Sequence, residues 1–306
     1  MNADADGLGY KVLYGMARDL SHKHRVILTL DTQLLSSTRE CYVDCVSNKF
    51  HVVNKSEVCT YLYFVSLPRS NLFKLQVKAQ LLPLWISLQV PKMSLAADLS
   101  EVYTEFHTNG PAQITKPIKE STADHAASFD FQKAIKAGDT LPPFKLSDAF
   151  GNDVASSTLL EKGPLLITFY RGEWCPFCNL ALRALQNHLP QFEAKGVTLV
   201  AITCEVPKQA LSTSEKNELK FPVLSDLGNK YAMELGLVFP MPEYMRPVFD
   251  GFGVDFKERN GDDSFVLPVP ATLLVDQKGV VRNSFVEPEY HKRAEPETVL
   301  EWIDQL

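Results

Sequence analysis

Apolar positions recur along this chain at two different spacings, and each change of spacing marks a change of element. Behind Ser94 as N-cap, Leu95, Leu99, Val102 and Phe106 follow one another at intervals of four, three and four, one face of a helix. Asn109-Gly110-Pro111 breaks that helix, and residues 112–136 predict one or two more, ending near Lys136-Ala137-Gly138. Strand and helix signals then alternate. Phe144 and Leu146, ahead of Gly151-Asn152, predict a short hairpin. Leu165 to Tyr170 is the continuous apolar and β-branched run of a strand buried on both faces. Cys178, Ala181, Leu185, Leu189 and Phe192 form a helical stripe closed by Gly196, which Pro190 is expected to kink or split. A second buried strand over Val197 to Thr203, a helix around Gln209 to Asn217, a strand at Pro222 to Leu224 and a helix ending near Gly236 follow. Residues 237–268, rich in Pro, Gly and acidic residues, read as an irregular insertion. Thr272 to Val275 and Val280 to Phe285 flank Asp276-Gln-Lys-Gly279 as a hairpin, followed by a helix over Glu295 to Leu306. This alternation predicts an α/β fold: a central mixed sheet with helices on both faces and an antiparallel edge hairpin.

No period persists in residues 1–92, although Tyr61 to Leu67 has strand character. They count as an unassigned extension, either disordered or a gene-model artefact, so that many molecules are expected to begin near Met93. A helical lead-in over 93–137 and one domain over 138–306 follow. With 306 residues, 45% hydrophobic and 22% charged, the chain can bury a full core, which excludes a wholly disordered or collagen-like protein. The net charge of −6 divides unevenly, +4 on residues 1–92 and −10 on 93–306. The acidic part argues against nucleic acid as a partner. The longest uncharged run near the N-terminus, Ala79 to Pro91, falls short of the ~20 residues of a membrane span, so no membrane partner is expected. Asp4 and Asp6, with no apolar run beside them, argue against a secretory signal. A cytoplasmic location is expected, with organelle targeting by the extension left open.

Six cysteines, at 41, 45, 59, 175, 178 and 204, are too few for a disulfide scaffold. In a reducing compartment a close pair reads as redox or metal chemistry. Cys41-x-x-x-Cys45 has no second pair to complete a metal site, and His22-x-His24 reads as a solvated basic segment. Neither a metal nor a cofactor is implied. The sharpest feature is Trp174-Cys175-Pro176-Phe177-Cys178, directly after a buried strand and opening a helix. Pro176 suits the first helical position, which puts Cys175 near the N-cap, where free N–H groups and the helix dipole favour a thiolate. Cys178, one turn on, can close a disulfide and release a mixed-disulfide intermediate. Trp174 can shield the pair. A zinc half-site and two inert cysteines are the competing readings.

Trp-Cys-x-x-Cys between strand and helix resembles the thioredoxin-fold active site, and Cys-Pro-Phe-Cys its glutaredoxin version. Further motifs resemble peroxiredoxins of the AhpC/TSA type, in order: Gly138-Asp-Thr-Leu-Pro-Pro-Phe144 through Gly151, then Phe221-Pro-Val-Leu-Ser-Asp226. Phe169-Tyr-Arg-Gly-Glu-Trp-Cys-Pro-Phe-Cys178 and Leu267-Pro-Val-Pro-Ala-Thr272 resemble the peroxiredoxin-like subgroup that carries a Cys-x-x-Cys. The resemblance covers 138–306 and nothing before Met93. It implies a thioredoxin-like fold and a thiol-dependent peroxidase acting on hydrogen peroxide or organic hydroperoxides, with thioredoxin or glutathione as reductant. A disulfide oxidoreductase without peroxidase activity, or a redox sensor or binding module offering Phe249, Phe252 and Phe256 to a partner, is the alternative. Oligomeric state is left open.

The departures from the family pattern are specific. Peroxiredoxins carry Pro-x-x-x-Thr-x-x-Cys; laid on this chain, the proline is Arg171, the threonine Cys175 and the attacking cysteine Cys178. The family's later active-site arginine falls at Pro270, which reads either as the cis-proline that faces the cysteines in thioredoxins or as an ordinary trans proline at a strand's entry. The peroxiredoxin overlay favours Cys178, but the helix position and the thioredoxin pattern make Cys175 the expected attacker, as an exposed thiolate. Arg171 can charge the thiolate's surroundings or make a surface salt bridge. Thr272 belongs to the same supporting group. Cys204 reads as a small core residue or a third redox thiol, and Glu173 as a solvated loop carboxylate.

Overall fold

The computed structural model describes residues 94–306 in full. Before them it describes only the backbone of five strands, β1 (Tyr10–Arg18), β2 (His24–Thr32), β3 (Arg39–Val46), β4 (Lys49–Asn54) and β5 (Tyr63–Phe64), which form one antiparallel sheet in chain order. The side chains of Cys41, Cys45 and Cys59 and the His22-x-His24 segment lie outside the described residues. The chain divides into two compact units, Met1–Val90 and Pro91–Leu306.

In the second unit two helices come first, α1 (Leu95–Asn109) and α2 (Ala112–Ser128). Ser94 Oγ accepts from Ala97 N–H at 3.2 Å, the cap that its position suggests. The sheet strands are β6 (Lys145–Asp148), β7 (Asp153–Ala155), β8 (Leu165–Phe169), β9 (Thr198–Thr203), β10 (Val223–Ser225), β13 (Ala271–Val275) and β14 (Val281–Val286). Their order is β14-β13-β8-β9-β10-β6-β7, with β8, β9 and β10 parallel and the flanking pairs antiparallel. This is the mixed sheet of a thioredoxin-like fold.

The period of two in the strands sorts the core. Leu166 and Tyr170 of the β8 run, Leu199 and Ala201 of β9 and Leu274 of β13 face one side, with α1, α4 (Pro176–Ala194), α5 (Pro207–Lys216) and α9 (Pro296–Ile303). Leu165, Ile167, Phe169, Val200, Ile202, Leu273 and Val275 face the other, under α3 (Ser156–Leu160) and α6 (Lys230–Glu234). Helix α4 ends in a Schellman motif: Gly196, at φ +73°, donates to Glu193 O at 2.9 Å, and Val197 N–H reaches Phe192 O at 3.0 Å.

Two expectations need correction. Pro190 does not split α4, which continues to Ala194; it sits on the exposed face near the helix end, where few hydrogen bonds remain to be lost. Residues 237–268 are not an irregular insertion. They hold a two-stranded antiparallel sheet, β11 (Val238–Pro240) with β12 (Val266–Pro268), and two short helices, α7 (Arg246–Gly251) and α8 (Phe256–Asn260). Around Met245, Phe249, Val254, Phe256, Phe265 and Leu267 they build a third core of their own. Phe249 and Phe256 are therefore buried, and of the three phenylalanines named as a partner surface only Phe252 is exposed.

Candidate active site

The Cys175–Cys178 segment sits where the parallel strands end. Tyr170 N–H still donates to Ile202 O at 3.0 Å, after which the chain turns through Gly172, whose carbonyl accepts from Cys175 N–H at 3.2 Å. Gly172 lies at φ +152°, and a Cβ there would stand 2.4 Å from Trp174 Nε1 and 2.9 Å from Glu205 Cδ, so only glycine lets the loop close this tightly. Pro176 takes the first turn of α4 and Cys175 its N-cap position, as the motif suggests. Asn179 ties the loop down: its Nδ2 donates to Glu173 O at 2.7 Å and Cys175 O at 3.1 Å, and its Oδ1 accepts from Asn217 Nδ2 at 2.8 Å.

Both cysteines are free thiols and wholly buried, which overturns the expected exposure of Cys175. Each sulfur has a guanidinium. Arg171 Nη2 donates to Cys175 Sγ at 3.1 Å, and Arg293 Nη2 to Cys178 Sγ at 3.1 Å. Arg171 makes no surface salt bridge: it is buried, with its charge 4.9 Å from the Trp174 ring centre and 4.5 Å from that of Tyr290. Burial pushes the Cys178 thiol up, but the Cys175 S–H, Arg293, Arg171 and the Arg171 backbone N–H outweigh it and hold Cys178 well below its ordinary value. Burial and the S–H donated to Cys178 push Cys175 the other way. Ionisation of the pair is therefore easier at Cys178 and harder at Cys175.

Arg293 escapes a reading of the sequence because it lies 115 residues from Cys178, in the loop after β14. Helix α1 fixes that loop. The Glu295 carboxylate accepts from Leu95 N–H at 3.1 Å and Ala96 N–H at 2.6 Å, completing the helix N-terminus. His107 Nε2 meets Tyr290 Oη at 3.3 Å, and Tyr103 stacks on His291 with ring centres 4.0 Å apart. Arg293 Nη1 in turn donates to Tyr290 O and Lys292 O. The helical lead-in therefore places one of the two charges on the sulfur pair.

The other sequence candidates fall around this centre or away from it. Trp174 is half-buried and packs edge-on against Phe249 and Phe256. Pro270 is buried ahead of β13 with a trans peptide, not the cis form of thioredoxins, and Thr272 is buried inside β13 opposite Thr168. Cys204, at the end of β9, is a core residue whose Sγ lies 3.8 Å from Arg171 O; burial pushes its thiol far up, so it has no thiolate to offer. Glu173 is not solvated: it pairs with Lys216 at 3.2 Å and Arg259 at 3.4 Å. Beside it the fully buried Glu205, absent from any motif, pairs with Arg259 at 2.9 Å and accepts from Glu173 N–H at 2.8 Å. Burial pushes Glu205 up to about 7.

Comparison with known proteins adds a family to this geometry. Residues 137–284 match the AhpC/TSA family. The chain is 29% identical over 180 residues to "Peroxiredoxin Q, chloroplastic" of Sedum lineare, covering 55% of this chain and 84% of that one. It is 25% identical over 159 residues to "Thiol-disulfide oxidoreductase ResA" of Geobacillus thermodenitrificans, covering 52% and 74%. A solved structure, peroxidoxin BcpB from Mycobacterium tuberculosis, overlays 56% of this chain and 98% of its own at 19% identity and a TM-score of 0.45.

Proposed function

We propose, from the match of residues 137–284 to the AhpC/TSA family and the similarity to a chloroplastic peroxiredoxin Q, that the chain is a thiol-dependent peroxidase working through Cys178 and Cys175. The observation that carries the assignment to these two residues is the guanidinium on each sulfur, Arg171 on Cys175 and Arg293 on Cys178. Both usual shapers of the peroxide pocket are replaced here, proline by Arg171 and threonine by Cys175. In their stead two arginines donate to the sulfurs.

In the first step the Cys178 thiolate attacks the terminal oxygen of the peroxide. The O–O bond breaks, sulfur is oxidised to a sulfenic acid, and the peroxide leaves as an alkoxide or hydroxide that takes up a proton. Two cationic side chains beside the sulfur stabilise the negative charge that spreads over both oxygens as the bond breaks. Cys175, one turn away, then attacks the sulfenic sulfur, a disulfide forms and water leaves. A dithiol of the thioredoxin type, or glutathione, reduces the disulfide and restores the pair.

A second reading has its own support. The Trp-Cys-x-x-Cys sequence and the similarity to a thiol–disulfide oxidoreductase fit exchange with a protein disulfide and no peroxide step. NADPH consumption by the purified chain with hydrogen peroxide, thioredoxin and thioredoxin reductase separates the two. Peroxide-dependent turnover supports the peroxidase; turnover of a disulfide substrate alone overturns it in favour of the oxidoreductase. Failure of both, with partner binding retained in Cys175→Ser, leaves a redox sensor or binding module.

A further inference from the structure

Two cations sit on the sulfur pair, and one residue touches both. Among the described residues the guanidinium of the buried Arg171 has one hydrogen-bond partner, Cys175 Sγ, and its Nε has none. A guanidinium bonded so sparingly is held by what its flat faces meet. Those faces meet two rings, Trp174 at 4.9 Å and Tyr290 at 4.5 Å. Trp174 belongs to the same loop as Arg171 and shifts with it. Tyr290 comes from the loop after β14 and so fixes Arg171 against a separate part of the fold. Its carbonyl also accepts from Arg293 Nη1, while Arg293 Nη2 donates to Cys178 Sγ.

A cation over a ring face is attracted by the ring's quadrupole, and more strongly where water is excluded. Tyr290 is buried, and its ring is itself held in place. His107 Nε2 meets Oη at 3.3 Å, and Phe177 from the Cys-Pro-Phe-Cys segment packs edge-on at 5.2 Å. Burial pushes the phenol up, so the ring stays neutral and presents an intact face to the cation. The partner of its hydroxyl is His107 and neither sulfur, so Tyr290 transfers no proton to the pair. Tyr290, Arg293 and His107 all lie outside residues 137–284, so the arrangement does not belong to the matched family region.

We propose that Tyr290 is the positioning residue for both guanidiniums, its ring face holding Arg171 on Cys175 and its carbonyl holding Arg293 on Cys178. The proposal rests on Cys175 and Cys178 being the reactive pair, and holds whether peroxide or a disulfide is the substrate. A plain cover over the thiols would have the opposite consequence. Removing a cover admits water and eases ionisation of a buried thiol, whereas removing the support of a cation makes ionisation harder.

The test is the first apparent thiol pKa of the full chain, read from thiolate absorbance at 240 nm. Tyr290→Leu removes the ring and keeps the carbonyl. It should raise that pKa by about one unit, about a tenfold loss of thiolate at a pH below both values. Tyr290→Phe keeps the ring face and should raise it less than half as far. Trifluorophenylalanine at position 290 has nearly the size of Phe but a ring face drained of negative charge, and should raise the pKa beyond Tyr290→Phe. If Tyr290→Leu loses the native near-ultraviolet circular dichroism, the fluorinated ring carries the test, since it fills the same space. A pKa unchanged or lowered in Tyr290→Leu, or equal in the fluorinated and Phe chains, overturns the proposal. So does a rise in Tyr290→Phe as large as in Tyr290→Leu. Peroxide-dependent turnover of the native chain is read separately: its absence overturns the peroxidase reading and leaves the Tyr290 result standing.

Discussion

Replacing Arg293 by Met removes a charged hydrogen bond to Cys178 Sγ and leaves a side chain of similar length in its place. A hydrogen bond to a charged group contributes about 1.5–3 kcal/mol, and about 1.4 kcal/mol corresponds to one pH unit of titration. The first apparent thiol pKa of the pair should therefore rise by about one to two units. The sign follows from the charge: the cation favours the thiolate, so its loss moves ionisation to higher pH. Thiolate absorbance at 240 nm across a pH titration measures the shift directly. Alkylation by iodoacetamide, at a pH below both values, should slow by about ten- to a hundredfold in step with it. Arg293→Lys keeps a charge but loses the fork geometry and should shift the pKa by less than half as much. Arg282→Met, which removes a cation paired with Asp276 in the β13–β14 hairpin, should not shift it. An unchanged or lowered pKa in Arg293→Met, with the near-ultraviolet spectrum of the native protein, would refute the two-arginine account.

Three further outcomes follow from the fold. Leu99, on the buried face of α1 against α4, should cost about 2–4 kcal/mol on truncation to Ala, read as a lower urea midpoint with unchanged slope; a loss under 0.5 kcal/mol would mean α1 is not part of the core. Glu205 binds its proton more tightly folded, at about 7, than a free glutamate does at 4.5, so its contribution to stability is full below pH 4.5 and is lost as pH rises through 7. Glu205→Gln should flatten the fall in melting temperature between pH 5 and 8, and an unaltered slope would show that Glu205 titrates normally. We also propose that residues 93–306 act as one unit, so a chain begun at Met93 should keep the melting temperature and first thiol pKa of the full chain; a molten or insoluble product would sink that division.

What was legible in the sequence was what depends on neighbours along the chain. The two-sided burial of Leu165 to Tyr170 and Val197 to Thr203 announces parallel central strands, and Pro176 ahead of an apolar stripe announces a helix that starts on a cysteine. The segment over 237–268 misleads because its prolines, glycines and acids interrupt its apolar residues, which keep no single helical or strand period. Those apolar residues meet where β11 pairs with β12 and α7 and α8 pack beside them. Cys175 is hidden for a related reason: Arg171, Trp174 and Tyr290 close over the helix N-terminus, and local spacing contains nothing about them. Arg293 and Tyr290 reach the site because α1 binds their loop through Glu295, His107 and Tyr103, contacts between segments nearly 200 residues apart. Arg171 was visible as an anomaly in the proline position, and its partner only in three dimensions.

The central claim is that Cys178 attacks and Cys175 resolves. Mass spectrometry after one equivalent of peroxide, with dimedone present, tests it most directly. The account predicts a Cys175–Cys178 disulfide in the native chain and a dimedone adduct on Cys178 in Cys175→Ser. An adduct on Cys175 in Cys178→Ser, with none on Cys178 in Cys175→Ser, would contradict it.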